Sequence, residues 1–265
     1  MATASPQPRA ESTPADGARH PSQGASIVKE LVLIIGVALV LSVLVRTFVA
    51  QAFFVPSASM ENTLLVQDRI LVSKLSTQFA GVNRGEVVVF TDPSNWLPEP
   101  VEPVGVKGVV RSTLTWVGLL PSDTGEDLVK RVIGVGGDHV VCCDARERIV
   151  LNGVSLDEPY IKPGDGTAQV RFDVVVPADR IFVMGDNRGD SADSRFHLDE
   201  AEGSVPAANV VGRVVAVIWP ASRWSGMPVP TLFENPALDE QRGATPAVSS
   251  RPSTSGEAVP DPGSS

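Results

Sequence analysis

The feature that most constrains this sequence is an uncharged apolar run near the N-terminus. Residues 31–45 read LVLIIGVALVLSVLV, and after Arg46 and Thr47 the apolar character resumes as far as Val55. Counted to Val55, the run would form a helix of about 37 Å at 1.5 Å per residue, longer than the roughly 30 Å hydrocarbon core of a bilayer. We therefore expect a transmembrane anchor over residues 27–52, provided that Arg46 reaches the head groups.

Two other interpretations of the apolar run stay open. It has the length of a cleaved signal peptide, because Ala50, Gln51 and Ala52 form an A-x-A-like cleavage site. A buried helix of a soluble domain is disfavoured, since the polar residues 1–26 could not shield it. Basic residues flank the run on both sides, so charge alone does not decide its orientation.

The two ends of the chain have a composition typical of disorder. Residues 1–26 and 233–265 are dominated by Ala, Pro, Ser, Gly and charged residues without apolar periodicity. The remaining length suits one anchor and one sizeable domain, which we place at residues 53–232. A net charge of -9 and the lack of a basic stripe exclude a nucleic-acid-binding groove.

Short β-branched runs separated by turn signals follow the anchor. Without a long amphipathic helix between them, they predict a mostly β domain built on an antiparallel sheet. Asn152-Gly153 predicts a hairpin. The predicted strands are residues 69–73, 86–91, 128–134, 139–142, 149–152, 170–176, 180–185 and 210–219.

Residues 93–127 interrupt this rhythm and are predicted to form an irregular excursion. It either packs against the β domain or brings Trp96 or Trp116 into the membrane interface, where indole rings are favoured.

One segment with possible chemistry is a strand that carries two cations. In the run from Leu128 to Gly134, strand alternation places Lys130 and Arg131 on opposite faces, each between apolar neighbours. Either both cations extend to water at the edge of a sheet, or Lys130 is buried. Burial lowers the pKa of a lysine, and a neutral amine can act as a general base.

The densest cluster of polar residues is GDNRGDSADSR at positions 185–195, directly after a predicted strand. A solvated turn is one interpretation. A calcium loop is excluded because Arg195 stands where the bidentate Glu would be required. A chymotrypsin-like serine protease is disfavoured, since His20, His139 and His197 all lack a recognisable catalytic context.

These motifs, together with PSASM at residues 56–60, occur in the order found in bacterial type I signal peptidases, and residues 31–219 resemble that family. The resemblance implies a membrane-anchored serine endopeptidase that removes signal peptides from exported preproteins. It also implies a catalytic domain outside the cytoplasm, a cytoplasmic N-terminus and an anchor that is retained.

By the same resemblance, Ser59 is the nucleophile and Lys130 the general base. The hydroxyl of Ser57 and the backbone N–H of Ser59 would form the oxyanion hole. Ser191 would orient the lysine amine, and Asp193 and Arg195 would support it as an ion pair. No metal and no cofactor are implied.

The expected partners are the lipid bilayer and signal peptides with small residues one and three positions before the cut (−1 and −3). Such a peptide would bind extended, with both small side chains on one face. We expect Phe53, Phe54, Val55 and the residues around Ile133 to help line the pockets for them.

Three further questions remain open. One alternative function is that of a LexA-like self-cleaving repressor, which also uses Ser and Lys but would need a DNA-binding head. Another is a membrane-anchored β module without catalytic activity, in which Lys130 would be exposed. Cys142 and Cys143 are either separate small residues or a vicinal disulfide.

Overall fold

The structure, a computed structural model, describes residues 23–93, 96–97, 127–164, 166–240 and 242. One long helix precedes a domain built almost entirely from antiparallel strands. The helices are α1 (Gln23–Phe48), α2 (Leu75–Ala80) and α3 (Ala237–Glu240). The strands are β1 (Ala50–Phe54), β2 (Arg69–Ser73), β3 (Val87–Thr91), β4 (Asp127–Val135), β5 (His139–Cys142), β6 (Ile149–Leu151), β7 (Val154–Ser155), β8 (Phe172–Val175), β9 (Arg180–Met184), β10 (Val205–Pro206), β11 (Val210–Trp219) and β12 (Ser225–Gly226).

Helix α1 carries the apolar run. Its segment Ile27–Val45 has a mean hydropathy of 2.6, and none of it is buried against the rest of the described chain. By length and composition this segment is able to cross a membrane. The predicted anchor extended to residue 52, and this boundary is wrong. The helix ends at Phe48, because Ala50–Phe54 pairs in register with β2 and places Phe53 in the core of the domain.

The mostly antiparallel β fold is confirmed. One sheet has eight strands, in the order β1-β2-β11-β3-β4-β9-β10 with β12 paired to β11, and the other has the order β7-β6-β5-β8. Each of the eight predicted strands is present, with ends shifted by no more than two residues. The Asn152-Gly153 turn joins β6 to β7 as the hairpin signal predicts.

Three apolar clusters hold the sheets together. One lies around β1, β2 and β11 and includes Phe53, Met60 and Leu64, the last two from the loop after β1. A second lies between the two sheets and contains Ile133 and Phe182. The third covers β3, β4 and β9. Strand β4 contributes to the second and third clusters, so it is buried on both faces.

The C-terminal tail was predicted to be disordered over residues 233–265, and the start of this prediction is wrong. Thr231–Glu234 forms a 3-10 helix, α3 follows it, and Phe233 and Leu238 pack into the cluster between the sheets. Composition indicated disorder here because two isolated apolar residues give no periodic signal. Their burial depends on a cleft that exists only after the sheets form.

Hydrogen bonds hold this C-terminal segment in place. Asn152 Nδ2 donates to the carbonyl oxygen of Leu238 at 2.6 Å, and Arg84 bridges the buried Asp138 and the exposed Asp239. Residues 233–240 therefore belong to the folded domain. The remainder of the predicted tail, apart from Arg242, lies outside the described residues, as do residues 1–22 of the predicted arm. The arm was predicted to extend to residue 26, and this boundary is wrong, because residues 23–26 form the first turn of α1.

Most of the predicted excursion over residues 93–127 also lies outside the described residues, including Trp116. Its first part is docked: the Asp92 carboxylate accepts from the N–H groups of Trp96 and Leu97, and the Trp96 ring stacks on His197 at 4.2 Å. Trp96 is only 8% exposed, so the interfacial alternative is wrong for this residue.

The cysteine pair lies at the end of β5. The structure joins Cys142 and Cys143 in a vicinal disulfide, which is one of the two alternatives from the sequence.

Candidate active site

Ser59 lies in a tight loop between β1 and β2. The N–H of Val55 donates to Asp68 O at 2.9 Å and the N–H of Gln67 donates to Val55 O at 2.9 Å, which closes the base of the loop. Met60 and Leu64 are almost fully buried beneath it. The loop is therefore anchored from below, and Ser59 is 7% exposed at its surface.

Strand β4 places the side chain of Lys130 next to this serine. It lies between β3 and β9, with Val88 opposite Lys130 and Met184 opposite Arg131. Lys130 and Arg131 are each 2% exposed. The alternative in which both cations extend to water is wrong, because β4 is an inner strand of the sheet and the chain covers both of its faces.

The amine of Lys130 and the hydroxyl of Ser59 form a direct hydrogen bond. The distance from Lys130 Nζ to Ser59 Oγ is 2.6 Å. Burial, partly offset by the nearby carboxylates of Asp193 and Asp186, lowers the pKa of Lys130 to about 8. About one amine in ten is then neutral at pH 7, compared with about one in three thousand for an ordinary lysine.

Ser57 is close to the same hydroxyl. The two Oγ atoms of Ser57 and Ser59 are 3.2 Å apart, and the Ser57 side chain is exposed. Among the residues that the structure describes, no group accepts a hydrogen bond from the backbone N–H of Ser59. Two donors for a developing oxyanion are therefore available beside the nucleophile.

Asp193 and Arg195 form a buried two-point ion pair. Arg195 Nε donates to Asp193 Oδ1 at 2.8 Å and Arg195 Nη2 donates to Asp193 Oδ2 at 2.9 Å, with both side chains excluded from solvent. Burial opposes the carboxylate charge, but the hydrogen bonds and charge of Arg195 outweigh it and hold the Asp193 pKa below its usual value. A fixed negative charge therefore lies near Lys130.

Ser191 is linked to this ion pair. Its hydroxyl donates to Asp193 Oδ2 at 2.8 Å, which leaves the Ser191 oxygen as an acceptor. Within the described part of the chain, Lys130 Nζ has no hydrogen bond to Ser191. The structure thus brings Ser191 to the site through Asp193, and its predicted role in orienting the lysine stays a prediction.

The 185–195 turn approaches the Ser59 loop at van der Waals distance. A methyl group at Gly185 would clash with the Ser191 hydroxyl and with the carbonyl oxygen of Ser59. Asn187 donates from its backbone N–H to Ser59 O at 3.1 Å and from its side chain to Ala58 O at 3.0 Å. Glycine is required here for close approach.

Sequence reasoning missed a second buried ion pair that braces the site. Arg131 donates to both oxygens of Asp186, at 2.9 and 2.7 Å, and lies 4.0 Å above the Tyr160 ring. The Thr63 hydroxyl donates to the same carboxylate at 2.5 Å. The adjacent basic residue in the Lys-Arg motif was a signal for this pair, but its partner is 55 residues away.

The described histidines take ordinary roles. His139 Nε2 lies 2.5 Å from the exposed Asp173, and His197 stacks on Trp96. His20 lies outside the described residues. No cluster of three or more His, Cys, Asp or Glu side chains in the described part of the chain is arranged to hold a metal ion.

The predicted pocket residues are divided between two places. Phe53 and Val55 face the apolar cluster under the Ser59 loop, whereas Ile133 is fully buried in the cluster between the sheets. Ile133 therefore does not line an open surface beside Ser59. Phe54, on the opposite face of β1 from Phe53, is half-buried.

Taken together, the site offers a hydroxyl nucleophile, an amine of lowered pKa within hydrogen-bond distance of it, and two donors for an oxyanion. This combination suits hydrolysis of an amide or ester through a covalent acyl intermediate.

Comparison with known proteins points in the same direction. Residues 28–219 match the family described as Signal peptidase, peptidase S26. Signal peptidase I of Mycobacterium tuberculosis (strain CDC 1551 / Oshkosh) is 39% identical over 228 residues, which covers 75% of this chain and 75% of the relative. A probable signal peptidase I of Mycobacterium leprae (strain TN) is 37% identical over 232 residues, covering 76% and 80%. Signal peptidase I of Leptolyngbya laminosa is 35% identical over 237 residues, covering 88% and 100%.

Proposed function

This chain belongs to the family of signal peptidases, peptidase S26, and from that premise we propose that Ser59 and Lys130 carry out its reaction, the removal of signal peptides from preproteins. The observation that carries the assignment is the 2.6 Å hydrogen bond between Lys130 Nζ and Ser59 Oγ in a buried site. Among the described residues, Lys130 is the one basic side chain in contact with the Ser59 hydroxyl.

The first half of the reaction forms an acyl-enzyme. Neutral Lys130 accepts the proton of the Ser59 hydroxyl while Oγ attacks the scissile carbonyl carbon. The resulting ammonium then donates this proton to the nitrogen of the leaving peptide, and the C–N bond breaks. The mature protein departs with a new N-terminal amine, and the signal peptide remains attached to Ser59 as an ester.

The second half releases the signal peptide. Lys130, neutral again, takes a proton from a water molecule that attacks the ester carbonyl, and then returns this proton to Ser59 Oγ as the ester bond breaks. The signal peptide leaves as a carboxylic acid, which then loses its remaining proton to water and becomes a carboxylate. Side chains and water carry every proton, so the proposal requires no cofactor.

We assign charge stabilisation in both halves to the Ser59 N–H and the Ser57 hydroxyl. Both lie beside the nucleophile, and each tetrahedral intermediate places negative charge on the former carbonyl oxygen. Arg195 holds Asp193 in place, so that hydrogen-bond acceptors stay close to the Lys130 amine. The Ser191 hydroxyl would accept a hydrogen bond from Lys130 when the amine turns away from Ser59.

The substrate would bind as an added strand. Strand β1 ends one sheet, so one of its edges pairs with β2 and the other has no strand partner among those described. An extended peptide at this edge would run past Ser59 with its −1 and −3 side chains on one face. Space beside the half-buried Ala52 and Phe54 would then favour small residues at both positions.

We place the chain in the cell membrane with a single pass. Helix α1 would be the anchor, residues preceding it would lie in the cytoplasm, and the β domain would lie outside, where preproteins emerge. The exposed apolar surface of α1 supports contact with the lipid bilayer. Signal peptides delivered in the same bilayer would then reach Ser59 at high effective concentration.

The test uses the purified full-length chain in detergent with a preprotein, followed by N-terminal sequencing of the product. We expect one new N-terminus after a small residue, and no product from Ser59→Ala or Lys130→Arg, because arginine stays charged. Lys162→Arg is the matched control, since Lys162 pairs with Glu61 close to the same loop. Cleavage by Ser59→Ala would show that Ser59 is not the nucleophile, whereas a wild-type chain that yields no new N-terminus would favour the β module without catalytic activity.

A further inference from the structure

One side chain outside the dyad holds two consecutive peptide groups of the Ser59 loop. Asn187 Nδ2 donates to the carbonyl oxygen of Ala58 at 3.0 Å, and the backbone N–H of Asn187 donates to the carbonyl oxygen of Ser59 at 3.1 Å. Asn187 is 2% exposed. Because a carbonyl oxygen only accepts, the amide must present its NH₂ group to Ala58.

The Ala58 carbonyl and the Ser59 N–H belong to the same peptide unit. This unit is planar and trans, so its C=O and N–H bonds point in opposite directions. The Ala58 oxygen also accepts from the Glu61 N–H at 2.9 Å, inside the loop. With both acceptor positions of this oxygen filled, the peptide plane is fixed and the Ser59 N–H is directed away from Asn187.

We infer that Asn187 is a positioning residue that orients the oxyanion-hole N–H of Ser59 through the Ala58 carbonyl, an inference that rests on the proposed function above. The Glu61 bond moves with the loop, whereas the Asn187 bond ties the peptide plane to the rigid turn that carries Asp193. Asn187 therefore sets where the N–H lies relative to Lys130.

The same bond also strengthens the N–H as a donor. A hydrogen bond to the oxygen of a peptide polarises the unit and makes its N–H more acidic. An oxyanion donor acts on charge that develops in the transition state, so its loss lowers kcat and leaves ground-state binding largely unchanged. Removing a whole donor costs about 10²- to 10³-fold in kcat. Loosening one should cost about 10- to 100-fold.

The experiment compares full-length wild type, Asn187→Ala and Asn187→Asp in detergent. Both variants keep the backbone bond to Ser59 O, and the aspartate also keeps the shape of the side chain. Asn62→Gly is the control: Asn62 ties the same loop to the Tyr160 and Ile161 carbonyls, at 2.9 and 3.3 Å, and its φ of 86° suits glycine. Measurements are kcat, KM and the melting temperature.

Two inhibitors separate positioning from binding. A peptide aldehyde ending in alanine forms a tetrahedral adduct with Ser59 Oγ, whereas the matching peptide alcohol binds without forming one. For both Asn187 variants we expect kcat at alkaline pH to fall about 10- to 100-fold with KM within about threefold. Aldehyde affinity should fall by a similar factor, and alcohol affinity should not change.

Asn62→Gly should keep kcat within about threefold of wild type. An equal loss of kcat in Asn62→Gly, an unchanged kcat in Asn187→Ala, or equal weakening of aldehyde and alcohol would overturn the inference. It would also be overturned if both Asn187 variants lost the folded state, since the residue would then be structural. If the aldehyde failed to modify Ser59 in wild type, the proposed function itself would be wrong.

Discussion

Replacement of Lys130 by methionine should abolish cleavage and at the same time stabilise the folded chain at neutral pH. The amine is 2% exposed, and burial lowers its pKa from 10.5 to about 8. The folded protein therefore carries a disfavoured charge below pH 8. Methionine has similar length and no charge, and Asp193 keeps its Arg195 partner in the variant.

The pKa shift sets the size of the effect. Each unit is worth 1.36 kcal/mol, so the shift corresponds to about 3 kcal/mol against folding. Loss of the hydrogen bond to Ser59 offsets about 1 kcal/mol of the gain. The free energy of unfolding of Lys130→Met should therefore exceed that of wild type by about 2 kcal/mol at pH 7.

The difference must also depend on pH with a definite sign. Below pH 8 the folded and unfolded wild-type chains both hold the Lys130 proton, and the penalty is fully present. Between pH 8 and 10.5 only the unfolded chain keeps this proton, so wild-type stability rises relative to the variant. The advantage of methionine should shrink over this range.

Urea unfolding in detergent, followed by tryptophan fluorescence at pH 7 and pH 10, measures both quantities. Lys162→Met is the control, because Lys162 is 40% exposed and should give no pH-dependent gain. A Lys130→Met protein that is no more stable than wild type at pH 7, or whose difference does not shrink by pH 10, would refute the argument from burial.

Three other outcomes follow from the packing. Gly185→Ala should lower kcat at least about tenfold, because a methyl group there clashes with the Ser59 carbonyl; wild-type kcat would contradict this close approach. Leu238→Ala should lower the free energy of unfolding by about 2–5 kcal/mol, because it leaves a cavity in the cluster between the sheets; an unchanged free energy of unfolding would show that this segment is dispensable. A preprotein with Leu at −1 should be cleaved at least about 100-fold more slowly than one with Ala, as measured by kcat/KM, and equal rates would exclude a −1 pocket that admits only small side chains.

Much of the strand pattern was predictable because it is local. Runs of β-branched residues and the Asn152-Gly153 turn contain the information for a strand or hairpin within a few residues. The end of α1 was not predictable in this way. Residues 49–54 are apolar enough to continue a helix, and only pairing with β2 converts them to a strand.

The same difference between local and long-range information applies to the residues of the site. Ser59, Lys130 and the 185–195 turn were found because their motifs are compact, and the structure brings all three together. The sequence left open whether Lys130 is buried, since strand alternation cannot distinguish an edge strand from an inner one.

Partners that are far apart in sequence were missed for a related reason. Arg131 and its partner Asp186 are 55 positions apart in the sequence. Asn187 and Ala58 of the Ser59 loop, which are joined by a hydrogen bond, are 129 positions apart. No local pattern encodes such a contact, because it exists only when the sheet is assembled.

The central claim is that neutral Lys130 removes the proton of Ser59, and the pH dependence of Ser59 acylation tests it most directly. The measurement is the single-turnover rate of acyl-enzyme formation by the full-length wild type at saturating preprotein between pH 6 and pH 10. We predict a rate that rises about tenfold per pH unit below the lysine pKa of about 8 and becomes constant above it. A rate that is independent of pH, or that is greatest at acidic pH, would contradict a lysine general base.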